Sequence, residues 1–451
     1  MFPEVPTVQG RVGTGEVDRH CHQGCRTFFT KIAHRVRGEV SVVSWRAVQT
    51  YATVVAGWAA AALGFSLPIS TSLDGVLLVL ALVAWVIAGR FTEPLEIIRR
   101  NRLVLVLPGF FVFVALGTVH GLAPFGERAR HLWKYDDFLL PLVFVPLFLN
   151  PDVRQRGLWG FGVSMTLTLI LSLLLAAGWT PPVSWFHGNQ ANATVFRHEI
   201  THNVLMAFAA LLFAVVAVRQ KVPWQRYGLG MLALWAVVDV FMFVQGRTGQ
   251  IILSTLILFW CERRLGVRGL FVGMAAVSAL VAVSYAVSPV FHERVEKTMA
   301  EIDRAQVETV APVTSSVGVR MEWYRNTMSL IATHPLIGVG TGSFPSAYAE
   351  FVTEPAAVKP AHPHNQYLLT ATELGVAGAG LLLGLFGVLW WKLRRAGGNL
   401  YGELGQGVVI VMAIGSAFSS LLVDHTEGLF FSWMISAALA AEDRGLIGEG
   451  C

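Results

Sequence analysis

Apolar runs recur along this chain from Tyr51 onward, and most are near the length a helix needs to cross a bilayer. They are rich in Leu, Val and Ala and lack the ten-residue alternation of a membrane strand, which predicts a helical bundle rather than a barrel. The spans fall near 48–68, 72–89, 103–120, 137–149, 158–178, 203–218, 228–244, 249–261, 270–288, 373–391, 405–423 and 428–441. That makes an all-α, polytopic membrane bundle of about twelve transmembrane helices, the fourth, eighth and last being short. Composition agrees. Of 451 residues, 54% are hydrophobic and only 14% charged, too few to cover a soluble protein of this length.

Charge orients the bundle. RFTEPLEIIRRNR (90–102), RQKVPWQR (219–226), ERRLGVR (262–268) and KLRR (392–395) fall on alternate loops, together with a basic N-terminus. By the positive-inside rule these loops and both termini are cytoplasmic. The expected organisation is a cytoplasmic tail (1–47), nine spans (48–288), a periplasmic loop (289–372), three spans (373–441) and a cytoplasmic tail (442–451). Met1 to Arg46 has no apolar core and is not read as a signal peptide. Its HCHQGC stretch (His20 to Cys25) hints at a metal, but the second half of a zinc site is missing. Neither these cysteines nor Cys261 and Cys451 lie in a segment placed outside, so no disulfide framework is implied. One outward loop breaks the charge rule. GERARHLWKYDD (126–137) carries Arg128, Arg130 and Lys134, and is read as interfacial, with Trp133 and Tyr135 at headgroup level, in preference to a lipid-phosphate site.

The outward loop 289–372 predicts two helices. The first has Phe291, Val295, Met299 and Ile302 on one face and a Glu293–Lys297 pair. The second, capped by Ser315 or Ser316, carries an apolar stripe of Val317, Met321, Tyr324, Met328 and Ile331 and ends at Pro335. GVGTGSF (338–344) follows no strand, so it predicts a turn and not a nucleotide loop.

Three outward cations need explaining: Arg197 in FRHEITHN, Arg247 in the short turn VQGRTGQ, and Arg320 on the second loop helix. Each alone could be an interfacial anchor, but guanidinium also matches phosphate oxygens with paired hydrogen bonds. Asp239, inside the seventh span, reads as a buried, hydrogen-bonded structural carboxylate roughly 12 Å from Arg247 along the helix. In AHPHNQYLLTATELG (361–375), a helix opened by Pro363 places His362 near the N-cap and His364 in the first turn. There the helix dipole disfavours imidazolium, and a neutral His364 can act as a general base. Asn365 and Gln366 could orient the ring or the incoming group, and Gly375, Gly378, Gly380 and Gly384 would allow close packing behind it. Spacing alone fits a solvated helix cap equally well.

The same stretch resembles the H-[NSQ]-x9-G-x-x-[GTY] signature of the O-antigen ligase family, met by His364-Asn365, Gly375 and Gly378. GVRMEWYRNTMSLIATHPLIGVGTGSF is similar to a block shared by O-antigen ligases and polymerases, with Arg320, Trp323 and H-P-L-x-G-x-G. Arg247 in GRTGQ, and Arg197 ahead of His202-Asn203 in HNVLMAF, extend the resemblance from about Phe196 to Gly378. What it implies is a metal-independent, cofactor-free glycosyltransferase of the bacterial inner membrane with a periplasmic site. The donor would be O-antigen polysaccharide on undecaprenyl diphosphate, and the acceptor a lipid A-core sugar hydroxyl. His364 would be the base and Arg197, Arg247 and Arg320 the diphosphate partners, supported by Asn365, Gln366, His362, Trp323, His202 and Asn203. No nucleic-acid partner is expected.

The rivals are an O-antigen polymerase or protein O-oligosaccharyltransferase, which share the donor and differ in acceptor. A secondary transporter would need an internal repeat and broken midplane helices, which the sequence does not show. A metal hydrolase on His334, His362 and His364 lacks carboxylate partners.

Overall fold

The computed structural model describes residues 45–179, 186–307, 316–353, 358–395 and 398–448. The N-terminal HCHQGC stretch, Ser315 and Cys451 lie outside the described residues. The described residues are helical, with no strand beyond one bridge between Asn189 and Asn192.

The chain opens with α1 (Trp45–Ser66), α2 (Thr71–Ala88), α3 (Thr92–Arg100) and α4 (Val106–Gly117). A short α5 (Phe125–Leu132) leads through a 3-10 stretch, Trp133–Leu139, into α6 (Pro141–Phe148). Next come α7 (Pro151–Ala176), α8 (Glu199–Ala217), α9 (Pro223–Val238), α10 (Arg247–Leu265) and α11 (Val267–Val287). The large loop supplies α12 (Pro289–Val307), α13 (Ser316–Thr333) and α14 (Phe344–Phe351), and α15 (Gln366–Arg395), α16 (Leu400–Gly415) and α17 (His425–Gly448) close the chain. Local sequence sets the ends. Ser70 caps α2, and Asn150 with Pro151 starts α7, its carboxamide accepting from Asp152 N.

Seven of the described helices are long and apolar enough to cross a membrane: α1, α2, α7, α8, α9 with its continuation to Phe243, α11 and α15. The twelve expected spans are therefore not reproduced by that measure. The third is half of a pair, α3 and α4, bent by 114°. The fourth shrinks to α6, eight residues long, because Pro141 and Pro146 limit it and a 3-10 stretch precedes it. The eleventh is a 16-residue helix, α16.

Between helices in lipid there is no hydrophobic drive, so close packing and hydrogen bonds must hold them. At the centre Phe161, Phe208 and Phe430 meet with ring centroids 5.0–5.8 Å apart. Trp433 on α17 donates to the Ala60 carbonyl of α1 at 2.8 Å. α8 is 78% buried, whereas α11 is only 11% buried and presents Phe271, Val272 and Met274 outward.

The two ends of the bundle differ in chemistry. At one, Arg219 and Arg264 converge on Glu403 (2.7 and 2.8 Å), Arg394 pairs with Glu262 and Lys392 with Glu442. The basic loops 219–226, 262–268 and 392–395 thus share that end. The opposite end carries α12 to α14 and the start of α15.

Several local expectations change here. On α13, Met321 and Met328 are 48% and 56% exposed, and the inward face is Gly318, Thr327 and Leu330, with Arg320, Trp323 and Tyr324 half-buried. The reason is that α13 packs on α15, which turns the polar-aromatic face inward. On α12 His292 lies 3.1 Å from Glu296, and Glu293–Lys297 is not among the described pairs; Met299 is exposed. Tyr135 is buried, stacked on Phe138 and bonded by Gln366, so it is not at headgroup level, although Trp133 is exposed.

The glycine string 338–342 is more than a turn. Helix α15 breaks at Gly375 (φ 69°, ψ −173°), which frees carbonyls of the preceding turn. Val339 N and Gly340 N donate to Thr372 O and Glu373 O (2.8 and 2.9 Å), and Val376 N donates to Pro335 O at 2.8 Å. Gly342 N donates to the Glu373 side chain, and Thr341 anchors the loop to Val114 O on α4. A Cβ on Gly375 would lie 2.1 Å from Leu336 O. Gly378 is also tightly packed, but Gly380 and Gly384 face open space and do not mediate the expected packing.

Candidate active site

Helix α15 begins at Gln366, not at Pro363. Asn365 accepts from Leu368 N as the cap and donates to Ala417 O at 2.9 Å, so its carboxamide holds the helix start and does not orient the histidine ring. Gln366 is fully buried. Its backbone N–H donates to Ser416 O, its side chain donates to Tyr135 Oη and accepts from Leu422 N, which makes it a tie between three elements and removes it from the incoming group.

His364 therefore sits just ahead of the cap, outside the first turn, and its backbone is left-handed with φ 52°, unusual for a residue with a Cβ. Three contacts impose this shape. The ring stacks on Trp323 (centroids 5.5 Å, planes 13° apart), Tyr324 Oη donates to His364 O at 3.2 Å, and His364 N donates to His362 Nδ1 at 3.3 Å. Trp323 is fixed in turn by donating to Val358 O. The Nδ1 atom of His364 is buried without a hydrogen-bond partner.

The imidazole is held neutral, by a different cause than a first-turn dipole. Burial lowers the His364 pKa, and the Arg320 guanidinium lowers it further. His362, 4.4 Å away, is pushed down to about 4 by burial, then by His364, Lys134, His131 and Arg320. The loop 126–137 thus reaches this pocket. His131 also contacts Glu373 at 3.2 Å, tying the loop to the broken turn of α15.

A second group surrounds Arg197. Its Nη2 donates to Asp74 (2.8 Å) and Leu67 O (2.6 Å), while Ser66 donates to the other Asp74 oxygen. Beside it, His202 contacts Asp239 at 3.0 Å, and Ser172 bonds the second Asp239 oxygen, so Asp239 is buried and satisfied. Asn203 packs against Gly246 and Gly249, which flank Arg247 at the first turn of α10. Both groups lie at the end opposite the basic loops. The structure brings His364, His362, Trp323 and Arg320 together, and places Arg197, Arg247, His202 and Asn203 in the neighbouring group.

Residues 424–427, read from sequence as a plain connection before the last span, lie between the groups. Asp424 interacts with Lys134, His425 with Asp74 and Asp136, and Glu427 with Arg197 and Thr201. Burial raises the Asp424 carboxyl, with Lys134 opposing. The signal available was the run DHTEG between two apolar segments, three ionisable groups where a bilayer tolerates few. Among the described residues no three His, Cys, Asp or Glu side chains converge as a metal site; His334 contacts Thr333.

An all-helical bundle with several bilayer-length apolar helices is a multi-pass membrane protein. Residues 232–383 match the family model described as O-Antigen ligase, so the chain carries a domain of the O-antigen ligase family. The matched stretch includes Arg247, Arg320, Trp323, His362, His364, Asn365 and Gln366, and leaves Arg197, His202 and Asn203 outside it. No curated protein matches the chain.

Proposed function

We propose that this protein is an O-antigen ligase, transferring polysaccharide from undecaprenyl diphosphate to a sugar hydroxyl of lipid A-core. The observation that carries the reading is a neutral imidazole, His364, half-buried beside the permanent charge of Arg320. His364 takes the proton of the acceptor hydroxyl. The acceptor oxygen bonds to the anomeric carbon as the bond from that carbon to the phosphate oxygen breaks, and the electron pair leaves with the diphosphate. Arg320 and Arg247 stabilise the growing negative charge, with Arg197 held ready by Asp74. Trp323 and His362 keep the base in place. A single displacement inverts the anomeric configuration and requires neither metal nor cofactor.

The orientation follows from charge. The end with Arg219, Arg264 and Arg394 faces the cytoplasm, both termini lie on the cytoplasmic side of the inner membrane, and His364 faces the periplasm. The test is reconstitution with purified lipid-linked glycan and two acceptors, rough lipopolysaccharide and a second donor molecule, with and without EDTA. Glycosylated lipid A-core of inverted linkage, unchanged in EDTA, is the expected product. Chain extension alone would make the protein a polymerase, and a retained linkage would point to a covalent carboxylate such as Asp424.

A further inference from the structure

A cavity of about 330 Å³ opens between α7, α8 and α9 at the basic end, far from His364. Its walls are apolar, including Leu158, Phe213 and Leu232, and its polar groups gather at one end around Arg154 and Tyr401. Arg154 is 92% removed from solvent by its 8% exposure. Its guanidinium lies over the Tyr401 ring at 4.6 Å, Nη1 donates to Phe148 O, and Nε is buried without a partner. No described carboxylate pairs with it. Glu403, two residues beyond Tyr401, is taken up by Arg219 and Arg264 and does not pair with Arg154. A buried cation lacking an anion is costly, and a ligand phosphate would offset that cost.

Dimensions narrow the ligand. From Arg154 to Thr166 the cavity follows α7 for roughly 18 Å, close to half the ~30 Å hydrocarbon core. A charged head with one apolar, leaflet-deep tail is the shape of a phospholipid. We propose that this cleft binds one anionic phospholipid of the leaflet at the basic end, its phosphate on Arg154 and an acyl chain along α7. A groove that only faced the bilayer would not select headgroup charge.

The test uses the purified full-length chain, delipidated and offered phosphatidylglycerol or phosphatidylcholine, with retained lipid counted by native mass spectrometry. Both lipids offer a phosphodiester to Arg154, but the choline cation of phosphatidylcholine would lie against the buried guanidinium, so a phosphatidylglycerol preference of roughly tenfold or more is expected. Arg154→Gln should bring the two lipids to parity, and Arg154→Lys should keep part of the preference. Gly162 lines the same cavity, and a Cβ there meets only Phe213 and Leu212 at ordinary distances (3.7 and 3.9 Å). Gly162→Leu should therefore fill the cleft and abolish retention of both lipids, which decides the matter if Arg154→Gln fails to fold. Glycerol 1-phosphate, a head without a tail, should not displace the lipid. Equal retention of both lipids by the native chain, displacement by glycerol 1-phosphate, or a preference that survives Gly162→Leu would overturn the proposal. No arm depends on glycosyl transfer.

Discussion

His364 combines two demands that different substitutions can separate. Its left-handed backbone costs about 1–2 kcal/mol for a residue with a Cβ, and Asn tolerates that region far better than Ala. Asn cannot take the proton. His364→Asn should keep the loop and its thermal stability yet lower turnover about 10²- to 10⁴-fold, the span of general-base contributions; near-native turnover would remove His364 as the base. Acid dependence tests the charge beside it. With its pKa lowered, His364 stays deprotonated below the ordinary 6.5, so activity should hold as pH falls past that value and fail only further down. Arg320→Gln removes a charge that disfavours imidazolium, so the acid limb of kcat/KM should move to higher pH, whatever happens to the maximum. Arg247→Lys should impair turnover severely, because an ammonium cannot reproduce the paired guanidinium bonds to a diphosphate. A kinetic comparison with unchanged values would take Arg247 out of the donor site. At this scale the sequence motif named His364, Trp323 and Arg320, and the structure brings the three together because one short loop and one helix face present them. It missed Lys134, His131 and Asp424, because those reach the pocket only through packing between segments remote in the chain.

The helices were legible where their apolar runs were long and uninterrupted, as in α7 and α8. Legibility failed where backbone geometry overrode hydrophobicity. The bend of 114° between α3 and α4 and the break in α15 have little hydropathic signature. At Gly375 the break is required by the neighbouring loop, whose amides occupy the carbonyls that a continuous helix would have used. Gly375→Ala would place a methyl 2.1 Å from Leu336 O and impose a left-handed backbone on Ala. Thermal unfolding in detergent should fall clearly, and turnover should fall with it, since the same turn carries Glu373 and its contact to His131. Gly380→Ala, five residues nearer the basic end and facing open space, should be silent in both measurements.

Across the whole molecule, the bundle divides into a packed centre of α8, α16 and α17 and an outer layer that includes α2, α9 and α11. If that layer meets lipid, its side chains answer to the bilayer alone. Val281 on α11 is 41% exposed, and Val281→Ala should leave insertion and stability unchanged. Val281→Lys should cost about 2.5–3.5 kcal/mol of insertion, read as a more than tenfold drop in the membrane-inserted fraction. Equal insertion of the two variants would place α11 outside the hydrocarbon. The hydropathy of the sequence was enough to read this division in outline, but the count of about twelve spans is not confirmed, because only seven of the described helices are by themselves long and apolar enough to cross.

The start of α15 is held by Ser416, Ala417 and Leu422, all contributed by the last 36 of the 451 residues. A ribosome-bound chain can thus thread most of its helices into the membrane while His364 still lacks the neighbours that fix its position. Group transfer becomes possible only once translation is nearly over, so a stalled or clipped product would remain inert beside its reactive donor.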